Sequence, residues 1–171
     1  MRLPPILFAL LLSQPAMVGA QSRRGVLVEA GPSVTDWGSR VSAGYFFHLT
    51  DQWVLDLGLA HSMWFPRERP SGHVTGNGHV RYMIDVLRVV PSIYVGIGAG
   101  SLLTEATTVT ELEYGFSADY MISRRAQFGL TVAGVTSFFG REITDDDGVL
   151  RDTVSRVLVL FRFQWVFGET W

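Results

Sequence analysis

Ser-Arg-Val-Leu-Val-Leu-Phe-Arg-Phe-Gln-Trp-Val-Phe, residues 155–167, is the stretch of the sequence that decides the fold. Every second residue in it belongs to an unbroken apolar and aromatic face, made of Val157, Val159, Phe161, Phe163, Trp165 and Phe167. The opposite face is mixed and holds Arg156, Leu158, Leu160, Arg162, Gln164 and Val166. Side chains alternate between the two sides of a strand, so this pattern predicts a β-strand. Which face points outward decides what kind of protein this is.

The same alternation recurs in seven earlier segments, and no helical period appears after residue 20. Eight segments with a period of two predict an antiparallel all-β domain. In each segment one face is large, branched or aromatic, while the other holds glycine, serine, threonine and charged residues. The charged residues on these polar faces are Glu29, Asp56, Arg81, Glu111, Glu113, Asp119, Arg156 and Arg162.

Eight strands close into a barrel whose interior holds only side chains or one small ligand. A soluble barrel would fill that space with bulky apolar groups, but here the polar faces carry glycine and charges of both signs. Because an isolated buried charge is costly, the charged residues are expected to pair as a network in the lumen. The large apolar residues then face lipid, and those expected near the bilayer midplane are Leu57, Ile97, Leu130, Val159 and Phe161.

The predicted network assigns partners only as a set. Arg81, Arg156 and Arg162 are each expected to pair with one of Glu29, Asp56, Glu111, Glu113 and Asp119. The individual pairs depend on the strand register, which the sequence does not supply.

The N-terminus has the features of a secretory signal peptide. A basic Met1-Arg2 start precedes an apolar run over residues 6–12, and Val18-Gly19-Ala20 supplies small residues before a cleavage site. The sequence therefore predicts a signal peptide over residues 1–20 and one domain over residues 21–171. The domain holds 13 arginines and 16 acidic residues, a net charge of −3, which gives no reason to expect a nucleic-acid partner. There is no cysteine, hence no disulfide framework.

Connections between the segments alternate in predicted length. Short ones lie around residues 50–52, 87–88 and 123–125, and longer ones span residues 32–39, 66–78, 103–110 and 140–152. Transmembrane barrels have short periplasmic turns and longer outer loops, with aromatic girdles at both interfaces. Candidate girdle residues are Tyr45, Phe47, Trp53, Tyr120, Trp165 and Phe167 near the turns, and Trp37, Trp64, Phe65, Phe138 and Phe139 near the loops.

With these features the chain resembles the small eight-stranded bacterial outer-membrane proteins of the OmpA transmembrane-domain and OmpX type. The resemblance includes a C-terminal signature of Phe163, Trp165, Phe167 and the terminal Trp171, although Glu169 departs from it. It implies an eight-stranded antiparallel up-and-down transmembrane β-barrel in the cell outer membrane of a Gram-negative bacterium. It also implies a monomer without cofactor, in contact with outer-membrane lipid, whose C-terminal strand is recognised by the barrel-assembly machinery.

Candidate chemical motifs are weak. Residues 96–100, Gly-Ile-Gly-Ala-Gly, lack the following helix that a dinucleotide loop needs, so a smooth inner strand face is favoured. Asp145-Asp146-Asp147-Gly148 fits a cation site, but a solvated hairpin loop is favoured. His73 and His79 lack a third metal ligand. His61 and Ser62 are adjacent and point to opposite faces. We therefore expect neither a metal nor a cofactor.

Three functions remain open. The first is an integral outer-membrane barrel with a structural or surface-interaction role and no wide pore, whose outer loops carry its interactions. The second is a soluble periplasmic lipocalin-like barrel that binds an apolar ligand. The third is a lipid A-modifying barrel enzyme, but deacylases of this type place histidine and serine two apart on one strand, and no His-x-Ser occurs here. We therefore expect the protein not to be an enzyme.

Overall fold

The structure, a computed structural model, describes residues 23–64, 71–84, 88–103, 107–144 and 150–167, without the side chains of residues 71, 141–144, 150 and 151. It contains eight strands: β1 (Arg24–Pro32), β2 (Gly38–His48), β3 (Trp53–Trp64), β4 (Ser71–Met83), β5 (Val89–Leu102), β6 (Thr108–Met121), β7 (Ala126–Thr144) and β8 (Leu150–Phe167). The predicted signal peptide, the Asp145–Gly148 motif, Phe65 and Trp171 lie outside the described residues. No helix among the described residues is long and apolar enough to cross a membrane.

The strands form one closed barrel in chain order. Each strand pairs antiparallel with the next, and β8 pairs back onto β1 from Arg24–Phe167 to Ala30–Phe161. The predicted eight-stranded antiparallel up-and-down β-barrel is therefore confirmed. We call the rim with connections 49–52, 84–88 and 122–125 the turn end, and the opposite rim the loop end.

The loop-end connections are shorter than the sequence suggested, because strands continue into them. β4 begins at Ser71, whereas the sequence placed residues 66–78 in a loop. The outward positions of this part of β4 include Gly76 and Gly78, and its inward positions include Thr75 and Asn77. Neither face is apolar, so the alternation on which strand prediction rests is missing here.

The large apolar residues point out of the barrel. All eight strands contribute to this surface, which we call the apolar belt and define by Val28, Val41, Leu57, Val80, Ile97, Phe116, Leu130 and Phe161, each exposed by at least 42%. Val159, also predicted to face outward, is half-buried. The eight charged residues expected in the lumen lie on the other face, inside the barrel, so the usual arrangement of a soluble protein is inverted.

The aromatic residues behave differently at the two ends. At the turn end Phe47, Trp53, Tyr120, Trp165 and Phe167 are exposed and Tyr45 is half-buried, all on the outward face. At the loop end Trp37 and Phe138 are exposed, but Trp64 and Phe139 are buried inside the barrel. The prediction of a girdle position for Trp64 and Phe139 is therefore wrong. For Phe139 the reason is simple, since adjacent strand residues point to opposite faces.

Apolar side chains fill the barrel at three levels. Leu27, Phe46 and Val54 pack together near the turn end. Tyr94, Ala133, Val135, Leu158 and Leu160 form a central cluster. Near the loop end the cluster consists of Trp64, Leu102, Val109 and Phe139. The polar interior is therefore bounded by apolar packing towards both rims.

Large rings inside the barrel lie over glycines of the neighbouring strand. A Cβ on Gly115 would lie 2.7 Å from Cε1 of Tyr94 and 2.6 Å from the carbonyl oxygen of Val132. On the outward face Gly134 makes the same kind of room for Tyr114, since a Cβ there would lie 2.5 Å from the tyrosine Cζ. Glycine on one strand thus provides the volume that a ring on the next occupies.

This packing predicts different outcomes for two Gly→Ala substitutions. Gly115→Ala should destabilise the barrel by about 1–3 kcal/mol, because the ring of Tyr94 and backbone must move to admit the methyl group. Gly76→Ala is the matched control, since a Cβ there has no atom nearer than 3.9 Å. Urea unfolding of both refolded variants measures the difference, and an equal loss in both would contradict the packing argument.

Candidate functional site

The charged side chains inside the barrel are the largest concentration of chemistry-bearing groups in the described residues. All eight residues of the predicted network are buried, none with more than 8% exposure. They come from β1, β3, β4, β6 and β8, and are Glu29, Asp56, Arg81, Glu111, Glu113, Asp119, Arg156 and Arg162. The structure divides them among four groups.

Arg81 is the centre of the first group, in the turn-end half of the lumen. Its Nη2 lies 2.7 Å and its Nε 2.9 Å from Oδ2 of Asp56, so one carboxylate oxygen takes both bonds. Its Nη1 donates to Oγ of Ser117 at 2.9 Å and of Ser92 at 3.2 Å, and the guanidinium carbon lies 4.9 Å from the ring centre of Tyr94. Arg81 of β4 therefore connects its own strand to β3, β5 and β6.

Arg162 is the centre of the second group, next to the β1–β8 seam. Its Nη1 lies 3.4 Å from Oε1 of Glu29, and its Nε lies 3.6 Å from Oδ1 of Asp119. Thr131 donates to Glu29 at 3.1 Å and Gln164 to Asp119 at 3.0 Å. These ion pairs are longer than the Arg81–Asp56 pair, so the carboxylates rely more on their neutral donors.

Glu111 is the most highly coordinated carboxylate. It receives Nη1 of Arg40 at 3.1 Å, Oγ1 of Thr75 at 2.9 Å and Oγ of Ser137 at 3.1 Å, and its Oε1 lies 2.6 Å from Nε2 of His73. Donors from β2, β4 and β7 therefore meet on one β6 side chain. His73 and Thr75 stand two residues apart on β4, but both bind Glu111 rather than each other.

Glu113 is held in a similar way one layer closer to the turn end. It is bonded to Nη2 of Arg40, to Nδ2 of Asn77 at 2.5 Å and to Nε2 of His79 at 2.9 Å. Arg40 also donates to Ser62 at 2.9 Å, so this one guanidinium connects both glutamates to β3. We refer to Glu111, Glu113 and their partners as the glutamate cluster.

Arg40, His73 and His79 are the ionisable members of this cluster that the sequence did not place in the network. Arg40 stands on the polar face of β2 two residues before Ser42, and that position was the signal that could have identified it. His73 fell in a segment predicted as a loop. From the sequence, His79 was considered only as a metal ligand.

Arg156 forms the fourth group, at the loop end, with a partner outside the predicted set. Its Nε lies 2.8 Å from Oδ2 of Asp36, and its guanidinium lies 4.5 Å from the ring centre of Trp64. Asp36 reaches it because connection 33–37 is hydrogen-bonded to β8, with the backbone nitrogen of Val34 donating to the oxygen of Val157 at 2.8 Å. A loop contact of this kind has no period-two signal in sequence.

The other candidate motifs are positioned as follows. His73 and His79 bind different glutamates, and the described residues contain no group of three or more His, Cys, Asp or Glu that could hold a metal ion. His61 is half-buried on the outward face of β3, and Ser62 is buried on the inward face. The glycines of residues 96–100 lie within strand β5, and the next element of the described residues is strand β6.

The arrangement is suited to holding the wall of the barrel together. Both oxygens of Glu111 and of Glu113 carry hydrogen bonds, and each arginine of the network contacts a carboxylate. Hydrogen bonds to charged groups contribute more than neutral ones, and removing one partner leaves the other charge buried and unpaired. The cluster therefore acts chemically as a set of cross-links between strands.

Comparison with known proteins extends the fold assignment. No protein-family model matches the chain, and no curated protein sequence matches it. Among solved structures, a de novo designed transmembrane β-barrel is similar, with a TM-score of 0.51 and 14% identity over 88% of this chain and 98% of that chain. The outer membrane enzyme PagL has a TM-score of 0.53 and 12% identity, over 81% of this chain and 97% of its own. Neisserial surface protein A has a TM-score of 0.49 and 12% identity, over 85% and 96%.

These similarities show the fold that transmembrane barrels have, at identities too low to carry a function. They correct one expectation. The sequence led us to expect no enzyme, yet PagL, whose barrel is similar, is an outer membrane enzyme. The expectation is wrong because the fold is compatible with catalysis, and the absence of His-x-Ser excludes only one arrangement of catalytic residues.

A double-substitution experiment tests the cross-linking role of the network. Arg81→Met should lower the free energy of unfolding by about 3–5 kcal/mol, because Asp56 remains buried without its cation. Adding Asp56→Leu should restore most of that loss, since no buried charge is then left alone. Urea titration of the wild type, both single variants and the double variant gives the coupling. Additive losses would show that the two side chains are not energetically paired.

Proposed function

We propose that this chain is an integral outer-membrane β-barrel protein of the small type represented by the OmpA transmembrane domain and OmpX. In this proposal its role is structural or surface-interacting, with the loop end presented at the cell surface. The single observation that carries the proposal is the apolar belt, which runs around all eight strands of the closed barrel.

The extent of the belt argues against an aqueous environment. Leu59 is 64% exposed, Ile97 69% and Phe161 56%, and every strand carries at least one apolar residue that is 42% exposed or more. Soluble monomers rarely expose contiguous apolar patches beyond a few hundred Å². Arginine and carboxylate side chains are meanwhile buried inside. Lipid around the belt accounts for both observations, since hydrocarbon is the solvent that such an outer surface requires.

The interior argues against the soluble lipocalin-like alternative. An eight-stranded barrel has room only for side chains or one small ligand. In the described residues that room holds the four charged groups and three apolar clusters. An apolar ligand would have to displace Tyr94 or separate hydrogen-bonded charges. The same filling supports a lumen without a wide pore.

The two rims give the proposed orientation. Short turns face the periplasm in transmembrane barrels, which assigns connections 49–52 and 122–125 to that side. Phe163, Trp165 and Phe167 are exposed on the outward face of β8, as a strand recognised by the barrel-assembly machinery would present them. At the other rim Val34 and Trp37 are 60% and 83% exposed, which makes connection 33–37 a candidate contact surface. We propose that the protein is a monomer, since a single chain closes the barrel by pairing β8 with β1.

Cell fractionation tests the proposed location. The full-length protein expressed in a Gram-negative host should sediment with outer membranes and require detergent for release. Its N-terminus should begin at Gln21, if residues 1–20 are a cleaved signal peptide. Edman degradation or mass spectrometry of the purified protein gives that residue. Recovery of folded protein from the periplasmic fraction without detergent would remove the proposal.

A depth comparison tests whether the belt meets lipid. Leu130→Arg should destabilise the barrel refolded in liposomes by about 2–4 kcal/mol, because an arginine is then placed near the bilayer midplane. Ile122→Arg is the matched control, since Ile122 is 62% exposed but lies in a turn-end connection, where about 0–1 kcal/mol is expected. Both residues are at the surface, so a soluble barrel would tolerate both changes equally.

A further inference from the structure

The turn end carries an excess of arginine that the lumen network does not use. The described residues there include Arg23, Arg24, Arg88, Arg124 and Arg125, against a single carboxylate, Asp51. The sequence adds Asp85 in the connection that also holds Arg88, and Glu169 two residues after the end of β8. Arg24, Arg88 and Arg125 are exposed, and we call these three residues the basic rim.

The basic rim is continuous with the aromatic residues of the turn end. Arg24 is the register partner of both Phe47 and Phe167. The backbone oxygen of Arg88 accepts a bond from the nitrogen of Met121 at 2.9 Å, which places Arg88 next to Tyr120. These arginines therefore lie directly beside the exposed aromatic side chains of the turn end.

Arg125 is placed in the same way on the opposite part of the rim. Its backbone oxygen accepts a bond from the nitrogen of Val166 at 2.8 Å, beside Trp165. Arg24, Arg88 and Arg125 form no ion pair within the described part of the chain. Their charge is therefore available to a partner outside the barrel.

We propose that the basic rim binds anionic phospholipid headgroups of the leaflet that surrounds the periplasmic turns. This inference rests on the proposed membrane-spanning function. Aromatic side chains at a membrane interface fix the depth of a protein, so the adjoining guanidinium groups lie at the level of the phosphates. A guanidinium presents paired donors that match phosphate oxygens, and clustered arginines are attracted to an anionic surface. The occupant is thus a lipid such as phosphatidylglycerol.

Fluorescence quenching by brominated lipids measures this preference directly. The reporters are Trp53 and Trp165, which lie on the outward face at the turn end, in a chain whose other tryptophans, Trp37, Trp64 and Trp171, are replaced by phenylalanine. The full chain is refolded into phosphatidylcholine vesicles that contain either brominated phosphatidylcholine or brominated phosphatidylglycerol. This chain, with the basic rim intact, should be quenched more strongly by the anionic lipid, and the difference should shrink as salt is raised.

Substitutions assign the preference to the rim. Arg24→Gln, Arg88→Gln and Arg125→Gln should each lower the relative affinity for phosphatidylglycerol by up to about fivefold, and their combination should abolish it. Lysine at the same three positions should keep most of the preference, because the charge remains. Asp51→Asn is the control of opposite sign and should strengthen the preference.

The possible failures are distinguishable. Protein that does not float with the vesicles would overturn the membrane-spanning proposal itself. Inserted protein with the basic rim intact that is quenched equally by both lipids would overturn the rim proposal alone. So would a preference that persists in the triple glutamine variant.

Discussion

The bonds to the carboxylate of Glu111 show the constraint on which the rest of the barrel depends. Four side chains from β2, β4 and β7 bond to its two oxygens at 2.6–3.1 Å, in a space with almost no exposure. A charge in such a place is tolerable only when it is fully paired, because desolvation costs several kcal/mol per ion. The charged residues on the inner faces therefore pair with residues of other strands, and pairs such as Arg40 with Glu111 link β2 to β6, which the backbone ladder does not join.

The same constraint explains why the outside can be so apolar. With the charged side chains held inside and every strand hydrogen-bonded on both sides by closure, no backbone edge in the paired part of the barrel needs water. The surface is then free to be valine, leucine, isoleucine and phenylalanine. One pattern of alternation along the chain places the polar side chains inside the barrel and the apolar side chains outside. A soluble barrel has the same alternation with the two faces exchanged.

The fold could be predicted from the sequence because period-two patterning is a local property of the chain. Most of the site could not be predicted, because its side-chain pairs depend on contacts between distant parts of the chain. Alternation identified the inward residues Asp56 and Glu111, but pairing Asp56 with Arg81 required the strand register. The start of β4 was missed because Gly76 and Gly78 remove its apolar face. The contact of Arg156 with Asp36 depends on how a loop folds over a strand, a tertiary fact without local signal. Similarly, Trp64 was assigned to the surface because aromatic residues near a rim suit both a girdle and a core.

The closing seam has a consequence for how this barrel forms. β1 and β8 pair over seven residues, from Arg24–Phe167 to Ala30–Phe161, so the first and last strands of the domain must find each other across nearly the whole chain. Contacts of such sequence separation form slowly, because the entropy of closing the loop is lost before they contribute. Until they form, both terminal strands have unpaired backbone groups that hydrocarbon cannot satisfy. Folding and entry into a bilayer are therefore expected to be one concerted event. The ion pair of Arg162 with Glu29 joins β8 to β1 at the seam that closes last.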